Sequence, residues 1–158
     1  MTDETIPESQ VASDPEHRLL GALVGHWHTT GRTYAGHSAP SAEIEATDTY
    51  EWLPGGLGLL HTVDGRVGDE RVEGAEVIEY DPSREAYVTH YVGTDGPNSY
   101  EARLMEEDGE LVWRMESDRD QFTGVFEADG TTISGCWESR DVDGRWRPWM
   151  EITLTKTR

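Results

Sequence analysis

An aspartate and a histidine on neighbouring runs have the clearest capacity for chemistry in this chain of 158 residues. In the run 43–52, Glu43, Glu45 and Glu51 share a face with Thr47 and Thr49, which marks that face as outward because strand side chains alternate. Ile44, Ala46, Asp48, Tyr50 and Trp52 are thereby turned inward. In 57–64 the set Leu57, Leu59, His61 and Val63 is more apolar than Leu60, Thr62 and Asp64, so His61 is expected inside, beside Asp48. Desolvation raises the pKa of a carboxylate and an adjacent imidazolium opposes the rise, so such a pair can take up and return a proton. Two roles follow. The pair fixes strand register or meets the polar end of a ligand; or Asp48 is a base with His61 as its partner and Tyr50 as donor to a developing oxyanion.

The other constellations are weaker. His26 and His28 share one face of a strand, with His37 in the loop that follows, a spacing compatible with a metal. With Trp27 inward both point out, so no metal site is expected. Cys136 is the one cysteine; it excludes an internal disulfide and, on a strand pattern, reads as a small buried hydrophobe. No serine elbow, thiol pair, zinc helix or phosphate-cradling glycine loop is present.

Six Trp and six Tyr are more informative than any motif. Large amphipathic rings on inward faces suit a cavity that holds one flat or conjugated molecule, with ordinary core filling as the alternative. The expected lining is Trp52, Leu59, Tyr87, His90, Tyr100, Trp113, Met115 and Trp137.

The elements that position these residues are mostly strands. Asp14-Pro15-Glu16 supplies a cap, proline at the first helical position and an acid in the first turn; Leu19, Leu20, Leu23 and Val24 follow at helical spacing until Gly25. A helix of two to three turns is expected. Ten strand-like runs come after it, near 26–34, 43–52, 57–64, 72–80, 85–92, 99–105, 110–116, 121–126, 131–139 and 146–155. Their connections carry Pro54-Gly55-Gly56, Asp81-Pro82-Ser83, Asp95-Gly96-Pro97-Asn98, and Asp-Gly pairs at 64–65, 108–109, 129–130 and 143–144, residues that tight hairpins use. An antiparallel meander of this length removes its edges by closing into an up-and-down barrel. Faces stay open in two runs: Tyr87, Thr89 and Tyr91 compete with Val88, His90 and Val92, and Trp146, Met150, Ile152 and Leu154 compete with Trp149.

Composition bounds the partners. A net charge of −19, from 32 acids against 13 bases, repels phosphate backbones and anionic lipid, so neither nucleic acid nor a membrane surface is expected. The single lysine, Lys156, fits either a GC-rich genome or a salt-adapted surface. No run approaches a membrane span and the acidic N-terminus has no signal pattern, which points to the cytoplasm. Residues 1–13 read as a loose acidic tail and 14–158 as one barrel domain.

Several stretches together resemble a known family. They are Leu23-Val24-Gly25-His26-Trp27 after the helix, Trp52-Leu53-Pro54-Gly55-Gly56, Val77-Ile78-Glu79-Tyr80-Asp81-Pro82 leading to Tyr87-Val88-Thr89-His90-Tyr91, Phe122 to Phe126, Asp129 to Glu138, and Glu151 to Lys156. Over roughly residues 17–157 the chain resembles the DUF1579 family of bacterial proteins, and more widely the calycin superfamily, in which a Gly-x-Trp on the first strand packs on the barrel floor. The resemblance implies a calycin-like (lipocalin-like) barrel with an interior cavity and supplies no catalytic residue. The nitrobindin-like haem branch also starts with Gly-x-Trp but takes its axial histidine from a late strand. No histidine follows His90, so no haem and no other cofactor is expected. The reading is a module that binds a small, mainly apolar or aromatic molecule, with a homodimer left open. The alternative is a cofactor-free cyclase, isomerase or lyase; a structural protein pairing through a free strand edge is disfavoured by the charged outward faces.

Overall fold

The computed structural model describes residues 15–36 and 40–158. A short helix, α1 (Pro15–Leu20), precedes ten strands: β1 (Gly25–Thr33), β2 (Glu43–Trp52), β3 (Gly58–Val67), β4 (Glu70–Asp81), β5 (Ala86–Gly93), β6 (Gly96–Glu107), β7 (Glu110–Glu116), β8 (Asp120–Phe126), β9 (Thr132–Arg140) and β10 (Trp146–Lys156). Each strand pairs antiparallel with the next, and β1 pairs with β10, so the sheet closes into a barrel. The expected tail and His37 lie outside the described residues.

Three local expectations need correction. The helix is shorter than its apolar spacing suggests: after Leu20 the amides of Gly21, Ala22, Leu23 and Val24 bond back three residues, so the tightened chain carries Leu23 into the floor. Asp64-Gly65 is not a turn. β3 runs through it to Val67 and the hairpin turns at Gly68-Asp69, because Gly65 is an inward position opposite Ala46, where a Cβ would overlap Ala46 Cα at 2.6 Å. The β5–β6 turn is likewise Thr94-Asp95, with Pro97 and Asn98 already paired in β6.

The two open faces are resolved by register. On β5, Tyr87, Thr89 and Tyr91 face inward while His90 faces out, bonded through its ring to Ser99 at 3.2 Å. On β10 an extra residue between Pro148 and Met150 breaks the alternation. Met150, Ile152 and Leu154 therefore face inward, Trp149 is exposed, and Trp146 stacks on the outer guanidinium of Arg140 at 4.2 Å.

The barrel has a closed half and an open half. At the closed half Leu20, Leu23, Trp27, Leu59, Ile78, Tyr87, Leu104, Trp113, Phe126, Ile133 and Leu154 form a packed core. Trp27 is fully buried, donates from its indole to Leu23 O at 2.8 Å and meets Phe126 edge-on. Gly25 makes the entry possible: its φ of 142° suits glycine, and a Cβ there would meet Lys156 Cε at 2.5 Å. The Tyr87 hydroxyl donates to Glu16 O and ties α1 down over this end. Toward the other end the inward residues Val63, Val72, Tyr91, Asn98, Tyr100, Trp137 and Ile152 are only half-buried, so solvent enters there.

Candidate functional site

Between the two halves lies a hydrogen-bonded chain of four side chains from four consecutive strands. Thr29 (β1) donates to Asp48 Oδ2 (β2) at 2.5 Å. His61 (β3) donates from Nε2 to Asp48 Oδ1 at 2.6 Å and from Nδ1 to Glu76 Oε1 (β4) at 2.9 Å. Cross-strand pairing explains the assembly: Tyr50, His61, Glu76, Tyr91 and Asn98 occupy one continuous rung, and Asp48 stands diagonal to His61. The Tyr50 ring lies flat on the imidazole, 4.1 Å between centroids and 5° between planes. The His61 and Asp48 side chains are 13% and 11% exposed and that of Glu76 5%, which puts them at the bottom of the open half.

Burial lowers the pKa of His61, but the hydrogen bonds and charges of Asp48 and Glu76 outweigh it and raise the imidazole from 6.5 to about 9. It is therefore an imidazolium at neutral pH, held between two carboxylates. Both ring nitrogens and both oxygens of Asp48 are engaged within the chain. Glu76 Oε2 has no hydrogen-bond partner among the described residues, although Glu76 is only 4% exposed. Burial, with the nearby charges of Asp48 and Glu76, pushes the Tyr50 phenol well up, so it stays a hydroxyl.

Above this chain the open half has a polar and an aromatic wall. Asn98 donates to the Tyr100 hydroxyl at 2.7 Å and to Asp120 at 3.4 Å. Tyr100 and Phe122 pack on Trp137 with centroids 5.6 and 5.0 Å apart. The Tyr91 ring lies flat along the wall over Gly74 and Gly93, where a Cβ would meet Tyr91 Cζ at 2.6 Å, and its hydroxyl donates to Asp95 at 2.7 Å. Two glycines thus form the notch that keeps this ring out of the lumen.

The structure brings Asp48, His61 and Tyr50 together and places Tyr100 and Trp137 in the open half. The remaining expected lining is distributed otherwise. Leu59, Tyr87 and Trp113 are packed in the closed half, with Tyr87 and Trp113 5.8 Å apart, and Met115 is buried between the halves. Trp52 is half-buried at the closed end, 3.6 Å from where a Cβ on Gly21 would stand. His90 is outside the barrel altogether, in a groove with Ser99, Glu101 and Arg119, because it alternates with Thr89 and Tyr91. Alternation along a strand sets a residue's face but not its depth, and depth is what separates lining from core. Glu76 was not expected; its signal was the face it shares with Ile78 and Tyr80. His26 and His28 face outward, and His28 lies 3.4 Å from exposed Glu45. Among the described residues no cluster of three or more His, Cys, Asp or Glu has the geometry to hold a metal ion. None of their helices is long and apolar enough to cross a membrane.

Comparison with known proteins places this geometry. Residues 12–156 match the family model described as "Protein of unknown function (DUF1579)". No curated protein matches the sequence. Among solved structures, Rv2717c from M. tuberculosis superposes with a TM-score of 0.69 at 12% identity, over 92% of this chain and 99% of that one. The S-type phycobiliprotein lyase CPES from Guillardia theta gives 0.59 at 14% identity, over 97% and 98%. At these identities the likeness is one of fold alone, that of a closed antiparallel barrel. By the family match over nearly its whole length, this chain belongs to the DUF1579 family.

Proposed function

We propose that the chain binds a small, mainly apolar or aromatic molecule in the open half of the barrel, its body against Tyr100 and Trp137 and its polar end toward the Asp48–His61–Glu76 chain. The observation that carries this reading is the pairing of half-buried aromatic rings above a nearly buried charged network in a lumen that solvent enters. The similarity in fold to a phycobiliprotein lyase supports it as analogy. Binding is favoured over the catalytic alternative because His61, an imidazolium that donates both ring N–H groups to Asp48 and Glu76, has no lone pair with which to take a substrate proton, and Asp48 already accepts from Thr29 and His61.

Native mass spectrometry of the protein purified from its own host tests the reading. The expected result is a non-covalent adduct that disappears in Ile152→Trp, a substitution that fills the lumen from β10. A bare chain mass for the wild type, with no small aromatic compound retained on titration, would overturn it.

A further inference from the structure

The open half is electrically unbalanced. Two carboxylates, Asp48 and Glu76, share the single imidazolium of His61, so the network carries one net negative charge while only 8% and 4% of those two residues are exposed. Asp120 stands at the rim beside Asn98, and Asp95 accepts from Tyr91. Among the described residues no lysine or arginine hydrogen-bonds or ion-pairs with Asp48, Glu76, Asp95 or Asp120. Lys156 is at the closed end over Trp27, and Arg66, Arg71, Arg103 and Arg114 are on the outer face; Arg147 takes an inward register position at the rim, opposite Ser139, but is exposed and pairs with Asp141. A buried charge lacking its counter-charge is costly in a medium of low dielectric. Two inward polar atoms are also unused: Glu76 Oε2, and the hydroxyl of Thr89, which is fully buried without a partner and diagonal to Glu76 across β4 and β5. The same field is felt by the rim phenols. Burial raises the pKa of Tyr91 and Tyr100, and the charge of Glu76 raises both further, with Asp48 adding to the first and Asp120 to the second.

We infer that the ligand of this barrel is a cation, a planar apolar body bearing a protonated nitrogen such as a primary ammonium or an amidinium, with that nitrogen donating to Glu76 Oε2 and the body stacked against Tyr100 and Trp137. Glu76 is then the residue that decides specificity. An anion of the same shape is rejected because it would add a second like charge to the network, and a neutral analogue loses the charge-assisted bond. The inference rests on the binding reading above and adds the sign of the ligand's charge to it.

Three probes of one shape test it by titration calorimetry at pH 7: 2-naphthylmethylamine, 2-naphthylmethanol and 2-naphthylacetate. The amine is expected to bind about tenfold or more tightly than the alcohol, with the acetate weakest. Glu76→Gln should erase the advantage of the amine and leave the alcohol within about twofold of its wild-type affinity. Should that variant fail to fold, the wild-type ranking still decides. If the acetate binds as well as the amine, or the alcohol equals it, the charge inference falls and the binding reading stands. If none of the three binds at millimolar concentration, both fall.

Discussion

His61 is the residue on which the site's chemistry depends, and its protonation is a statement about stability. Its folded pKa, about 9, lies above the ordinary 6.5 because two carboxylates favour the charged form more than burial disfavours it. A raised folded value contributes stability that is fully present below about pH 6.5 and is lost as the pH rises through about 9. The barrel should therefore melt at progressively lower temperature across that window, the loss amounting to up to about 3 kcal/mol. Thermal melts at half-unit pH steps check this, with His61→Gln as control: that variant should be less stable at pH 7, where Asp48 and Glu76 face each other without a cation, and much flatter above it. A wild type as stable at pH 9 as at 6.5 would contradict the bonded imidazolium.

Among the elements, the decisive contact is the seam at which β1 meets β10, the strands farthest apart in sequence. Gly31 sits on this seam opposite Ile152 and Ile44, and a Cβ there would meet Ile152 Cα at 2.8 Å and the carbonyl carbon of Glu151 at 3.0 Å. The obstacle is backbone, which cannot swing aside as a side chain can. Gly31→Ala should thus cost at least about 2 kcal/mol by prising the closing pair apart. Urea unfolding would read this as a lower midpoint with an unchanged slope. By alternation with Trp27 and Thr29, Gly31 is one more inward position of β1. That it is a seam became legible only with closure, since nothing local to residues 25–33 says which strand lies alongside.

At the scale of the whole molecule, closure leaves no free edge among the described strands, and the charge lies mainly on the outside. The outer ion pairs, such as Arg114 with Glu107 and Arg71 with Asp64 and Glu73, are exposed and individually worth little. With 32 acids and 13 bases, repulsion among surface carboxylates is the larger effect. Raising sodium chloride from about 0.05 to 0.5 M should screen it and raise the melting temperature by several degrees. A melting temperature that falls with salt would mean that the outer ion pairs outweigh the repulsion.

The sequence by itself determined the ten strands, the inward face of most of them, most of the turns that join them, and Asp48 and His61 as interior neighbours. These are local properties, read from a period of two and from turn chemistry, and β2 shows the limit of what they need: its acids alone orient the strand. Only the tertiary structure decided how deep each inward residue lies, which half of the barrel is packed and which admits solvent, and that Glu76 completes the charged chain. Those depend on the stagger between strands and on where α1 settles. The bulge in β10 belongs with them, because one extra residue between Pro148 and Met150 reverses the faces of everything before it. So does the pairing of β1 with β10, a contact between chain ends that no window of sequence contains.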